Sequence, residues 1–244
     1  MATTPTTTNL AASVAQNLDI KSLVTSLVNA EKKPLTDLQA TKSVTNTKIS
    51  KFGQLQNLRE NAFNANEKVK KAIENSGTND EISAAIKAQI AQINSYYTNL
   101  KSVTDIKATL NTDRTAQSVK SNFRTTISAA LYGTEKTTTF LSTNKDGTIA
   151  LDESKLTSAL ADSNTKVSIA NIASTLSDTL SDTSYAASIM DSRVTALQSQ
   201  NKSTDTRIDN YNKYLDQRQS ILTNQFMALQ KALLNYSAIT FNQQ

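Results

Sequence analysis

Beyond Gly147 the sequence contains neither glycine nor proline, and the whole 244-residue chain has only 4 glycines and 2 prolines. Average usage would place roughly 17 glycines and 12 prolines in such a length. Tight reversals and left-handed backbone positions depend on those residues, so the chain must be built from long elements with few turns. Hydrophobic residues make up 38% and aromatic residues 5%, against an abundance of Thr, Ser, Asn and Gln. Such a composition buries narrow stripes along helices rather than a thick globular core.

Within the glycine-free stretch an apolar position recurs every seven residues. One register runs Leu180, Ala187, Val194, Asn201, Ile208, Leu215, Leu222, Leu229 and Tyr236; its companion runs Leu176, Thr183, Met190, Leu197, Thr204, Tyr211, Arg218, Gln225, Ala232 and Ile239. Together they describe a coiled-coil seam with defects, read as one helix over about 167–238. The polar pair Asn201 and Thr204 divides it and marks a boundary between structural zones.

A lone amphipathic helix is marginal in water, so the seam requires a partner. The segment NLDIKSLVTSLVNAEKKPL supplies one. Asp19 is placed to cap a helix, with Leu18 and Leu23 as a hydrophobic staple. Ile20, Leu23, Val24, Leu27, Val28, Leu35 and Leu38 fall in an arc of roughly 140°. Pro34 inside this pattern predicts a kink. The two ends of the chain are therefore expected to pair antiparallel, and the same stripes are available to pair between subunits.

Sparser apolar positions (Ile49, Phe52, Leu55, Phe63, Val69, Ile73) carry the helix to about Asn75. ENSGTNDEI then supplies a stop and a restart, with Gly77 suited to the left-handed position after a helix and Thr78 with Glu81 as a capping box. Ile82, Ile86, Ile90, Ile93, Tyr97 and Leu100 continue at helical spacing, and residues 111–113 offer the next cap. Val119, Phe123, Ile127 and Leu131 form a shorter helix that stops at Gly133. β-Branched runs on either side of residues 144–147 predict a small hairpin near 138–151, and Asp152 caps the helix after it.

The expected fold class is mainly α: an elongated antiparallel coiled-coil leg plus a helical-bundle body with one small β-hairpin. The expected domains are a disordered polar tail over 1–18, a leg made of 19–44 and 203–244, and a body over 45–202.

His 0 and Cys 0 remove the Ser-His-Asp triad, the Cys-His pair, the usual zinc site and the disulfide. The four glycines are too far apart for either phosphate-cradling motif. Residues 142–153 can be laid on a calcium loop through Asn144, Asp146, Gly147 and Glu153. Ser142, however, stands where that loop needs an Asp and the flanks read as strands, so a turn followed by a helix cap is the better reading. Asp152 and Glu153 are paired carboxylates with no third group to make them an acid and a base. No catalytic, cofactor or metal site is expected, and the chain does not read as an enzyme.

The net charge of +5 comes from 26 basic and 21 acidic residues interspersed along the whole length. That pattern describes a solvated surface rather than a nucleic-acid face. No apolar run is long enough for membrane insertion, and MATTPTTTNLAASVAQN has neither the basic nor the apolar region of a cleaved secretory signal.

LDIKSLVTSLVNAEKKPL (18–35), followed by KISKFGQLQNL (48–58), resembles the opening of bacterial flagellar filament cap proteins, also called hook-associated protein 2. AQINSYYTNL (91–100) resembles the family's helix after its head domains, DGTIALDESKLTSAL (146–160) its hairpin and following helix, and LDQRQSILTNQFMALQKAL (215–233) its C-terminal leg. Cap proteins usually carry β-rich head domains between the first long helix and the second. Here residues 74–81 join the two directly, so the chain looks like a cap reduced to its leg and helical body.

The resemblance implies that several copies, usually five, form an annular lid at the filament tip, beneath which flagellin folds and inserts. It implies export through the flagellar type III route, without a cleaved signal peptide, to the extracellular tip of the flagellum. The implied partners are the protein itself as a homo-oligomer, flagellin, hook-filament junction proteins and an export chaperone before secretion. In this family the legs contact neighbouring subunits and the filament, which assigns the self and filament interface to Leu23, Leu27, Leu35, Leu38, Leu215, Leu222, Leu229 and Leu233. Two other readings share the pattern: a flagellin-like or hook-filament junction subunit, and a helical export chaperone or other binding module. The block LVTSLVNAEKKPL favours the cap.

Overall fold

The computed structural model describes residues 19–132 and 140–241. The expectations for the tail at 1–18, for Leu18 in the staple, for the stop at Gly133, for the start of the hairpin at 138–139 and for the side chains of Leu131 and Ile239 lie outside what it describes. In chain order the elements are α1 (Ile20–Ala30), α2 (Lys33–Glu74), α3 (Asn79–Thr104), α4 (Arg114–Tyr132), β1 (Leu141–Thr143), β2 (Ile149–Leu151), α5 (Glu153–Ala159), α6 (Ser163–Leu180) and α7 (Tyr185–Phe241). The fold is mainly α, and β1 and β2 form one antiparallel hairpin in which Leu141 faces Leu151 and Thr143 faces Ile149.

The helix starts follow from their caps. Asp19 accepts from the Ser22 amide at 2.9 Å. Thr78 and Glu81 make the reciprocal capping box, with the Thr78 amide donating to Glu81 Oε2 at 2.8 Å and the Glu81 amide to Thr78 Oγ1 at 3.2 Å. Asp152 accepts from the Lys155 amide at 3.0 Å. Each satisfies donors that a helix start otherwise leaves unpaired.

Three local expectations are corrected. Pro34 does not kink a continuous helix: α1 ends at Ala30, and α2 begins at Lys33 with Pro34 in its first turn. A proline there loses no helical hydrogen bond. The left-handed residue between α2 and α3 is Ser76 (φ 56), not Gly77. Gly77 is required for another reason, since a Cβ on it would meet the Ala72 carbonyl oxygen at 2.7 Å. The long C-terminal helix is also not continuous from residue 167, because α6 stops at Leu180 and α7 starts at Tyr185. The Arg59 guanidinium donates to the Leu180 carbonyl and pairs with Asp182, placing a cation at the helix end where the backbone dipole is negative. Ser184 Oγ then caps α7 by accepting from the Ala187 amide at 3.2 Å.

The chain forms two compact units, one drawing on residues up to Ser43 and from Asn201 onward, the other Val44–Gln200. In the second unit, the face of α3 read from sequence is fully internal: Ile82, Ile86, Ile90, Ile93, Tyr97 and Leu100 are all buried. Phe52, Leu55 and Val69 of α2, Val119, Phe123 and Ile127 of α4, and Leu176 and Leu180 of α6 join the same core. Tyr96 and Phe123 meet edge to face with ring centroids 4.9 Å apart. A polar network threads this core. The Asn66 amide donates to the Ala173 carbonyl at 2.6 Å and to Ser177 Oγ at 2.7 Å, while its oxygen accepts from Gln89.

The hairpin is pinned to α3. Asn94 donates to the Ile149 carbonyl and accepts from the Ile149 amide, both at 2.8 Å. At its turn Gly147 has φ 91, and a Cβ there would stand 2.6 Å from the Tyr97 hydroxyl. Gly147→Ala is expected to cost about 1–2 kcal/mol from the backbone conformation alone, before the clash with Tyr97. The check is a thermal melt by circular dichroism, with a Tm several degrees below wild type.

Candidate assembly interface

The first unit is a pair of helices built from α1, the start of α2 and the C-terminal part of α7. Its core is small: Val24 and Val28 pack against Leu215 and Leu222, with Ile20, Leu35, Tyr211 and Phe226 half-buried around them. The α1 stripe is thus centred on its valines. Leu23 and Leu27, one position earlier and so about 100° round the helix, are 40% and 42% exposed.

The eight leucines read from sequence fall into three groups. Leu215 and Leu222 are buried in the helix pair itself. Leu35, Leu38 and Leu233 are half-buried. Leu23, Leu27 and Leu229 are exposed. Leu229 continues the register of Leu215 and Leu222 yet is 49% exposed, and it is not among the residues of the buried cluster.

Sequence reasoning missed the polar clamp that closes the pair. At the end of α1 the Glu31 carbonyl accepts from the Tyr211 hydroxyl at 2.8 Å. Its carboxylate accepts from the Tyr214 hydroxyl at 2.9 Å and from Arg218 Nε at 3.0 Å. Tyr211 and Arg218 had signalled this as polar groups in an apolar register. The Arg218 hydrogen bond, followed by that of Tyr214, holds the Glu31 carboxyl below its ordinary value. The same carboxylate raises the Tyr214 and Arg218 values.

The sign of the resulting pH dependence is fixed. A carboxylate whose folded pKa is depressed contributes stability above its unfolded value, here about 4.5, and loses it as pH falls through the folded value. Glu31→Gln should therefore melt below wild type at pH 7, with the difference closing as the pH falls below 4.5 and through the lowered folded value. Parallel thermal melts over that range check it. Asp146, Asp152 and Glu67 are also depressed, through Thr148, Lys155 and Ser177 respectively, so acid sensitivity is shared by both proteins and only the difference reports Glu31.

Among the described residues no group of three or more His, Cys, Asp or Glu side chains is placed to hold a metal ion, and no helix is long and apolar enough to cross a membrane. Asp146 Oδ1 accepts from the Thr148 amide and hydroxyl, so this oxygen closes the hairpin turn. The first unit is a paired-helix unit with Leu23, Leu27 and Leu229 exposed on it.

The chain belongs to the flagellar hook-associated protein 2 family. A model of the family's N-terminus matches residues 16–91, and a model of its C-terminus matches residues 66–238. This is the family of filament cap proteins, located at the extracellular tip of the bacterial flagellar filament. Neither a curated protein nor a solved structure matches the chain. The two family matches overlap over 66–91, where α2 and α3 are joined by only residues 75–78, and the hairpin is the one sheet among the described residues.

Proposed function

We propose that copies of this chain associate, as five in the family's usual form, into an annular lid at the filament tip, and that newly exported flagellin folds and inserts beneath it. The observation that carries this reading is the first unit. Its core is closed by Val24, Val28, Leu215 and Leu222, which leaves Leu23, Leu27 and Leu229 exposed for a neighbouring subunit or the filament. Small mixed contacts of this kind suit a lid that must shift as subunits arrive, since large dry interfaces tend to be permanent. Leu35, Leu38 and Leu233 are half-buried.

Flagellin and the hook-filament junction proteins are the partners at the tip, and an export chaperone holds the chain before secretion. The route is export through the flagellar type III system. Family membership supports the cap over a flagellin-like subunit or a free-standing chaperone. Electron microscopy of the purified protein tests the reading: closed rings or stacked plates support it, and monomers at every concentration by light scattering overturn it.

A further inference from the structure

The second unit carries a pocket of about 440 Å³ between α3, α4 and the hairpin turn. Its floor is apolar, with Ile93, Tyr97, Phe123, Ile127 and Ile149. Its rim holds three cations, Lys101, Arg124 and Lys145, and among the lining residues a single carboxylate, Asp146. Such a site takes an apolar side chain flanked by a carboxylate on one side and a cation on the other.

Among the described residues, Ile106 is the large hydrophobic with the greatest exposure, and it sits in that combination. After α3, the Ala108 amide donates to the Asp105 carbonyl at 2.9 Å, closing a turn in which Lys107 sits at φ 69. A positive φ at this position costs a non-glycine residue energy. The turn is nonetheless held from beneath by the Leu110 amide bonding to the Val103 carbonyl at 2.9 Å, both residues being buried. Its tip is Ile106, 88% exposed and bracketed by Asp105 and Lys107. Ile106 does not line its own pocket, so only another molecule can bring the two together.

We propose that the Asp105-Ile106-Lys107 turn of one copy seats in this pocket of a second copy, with Ile106 on the apolar floor, Asp105 toward Arg124, Lys101 and Lys145, and Lys107 toward Asp146. This contact rests on the self-assembly reading above and names a surface for it. A knob that fits a pocket elsewhere on the same molecule is a heterologous contact, and repeated head to tail it generates a ring when the rotation closes.

The chain has no cysteine, so an Ile106→Cys variant and a Ser128→Cys variant, each with one thiol, can be joined only between molecules. When they are mixed under mild oxidation, the expected product is a disulfide dimer of the two variants in excess over either homodimer. Ile106→Asp, a change at an exposed position, should raise the self-association Kd by about tenfold or more. Rings or oligomers that form without the mixed disulfide, and with an unchanged Kd for Ile106→Asp, overturn this contact alone. A wild-type protein that stays monomeric overturns the assembly reading together with it.

Discussion

Leu222→Asp should unfold the terminal-helix pair while leaving the core of Val44–Gln200 protected. Leu222 is one of four buried apolar residues closing this small unit, with Val24, Val28 and Leu215. The substitution removes a packed side chain, at about 2–5 kcal/mol, and sets a carboxylate where burial would add a further penalty unless it is protonated or the helices separate. Four residues cannot absorb such a loss, and separation of the helices is the cheaper outcome. Hydrogen exchange should show lost amide protection in α1 and in residues 215–226, and the self-association proposed above, read by light scattering, should fall. Retained protection in α1 would mean that the clamp at Glu31, not the apolar seam, holds the pair together.

Asn66→Leu should be the most damaging change of near-constant volume in the second unit. Asn66 is fully buried and makes three hydrogen bonds, to Ala173, Ser177 and Gln89. Leucine fills the space but leaves the Gln89 amide without its partner inside the core, while the Ala173 carbonyl, inside α6, keeps its helical bond and Ser177 Oγ keeps its bond to Glu67. A buried group so orphaned costs about 1–3 kcal/mol, and a loss of that size is expected in chemical denaturation. Converting Asn66 and Gln89 together to leucine should recover part of it, because one orphaned donor is then removed. A double variant weaker than the single one would place the role of Asn66 in shape rather than in hydrogen bonding.

The helical elements were legible from spacing and caps. All six apolar positions chosen on α3 are buried, and the caps at Asp19, Thr78 and Asp152 stand where the residue types put them. The break at 181–184 was not legible, because the heptad count passes through it and no glycine or proline marks it. At that end the Leu180 carbonyl accepts from Arg59, more than a hundred positions earlier in the chain. The choice between Val24 and Leu23, or Val28 and Leu27, was equally closed to sequence. All four lie on one broad arc, and the opposing Leu215 and Leu222 decide which rows turn inward.

The sequence by itself determined a mainly α chain with one hairpin, through its scarcity of turn residues and its helical periodicity. Those are local properties, set by steric and capping preferences within a few residues. The tertiary structure decided which leucines close the helix pair and which remain outward, where the long helix is cut, and how Ile106 and the cationic pocket are displayed. Each of these depends on groups distant in sequence competing for the same contact, and a linear pattern carries no record of which one wins.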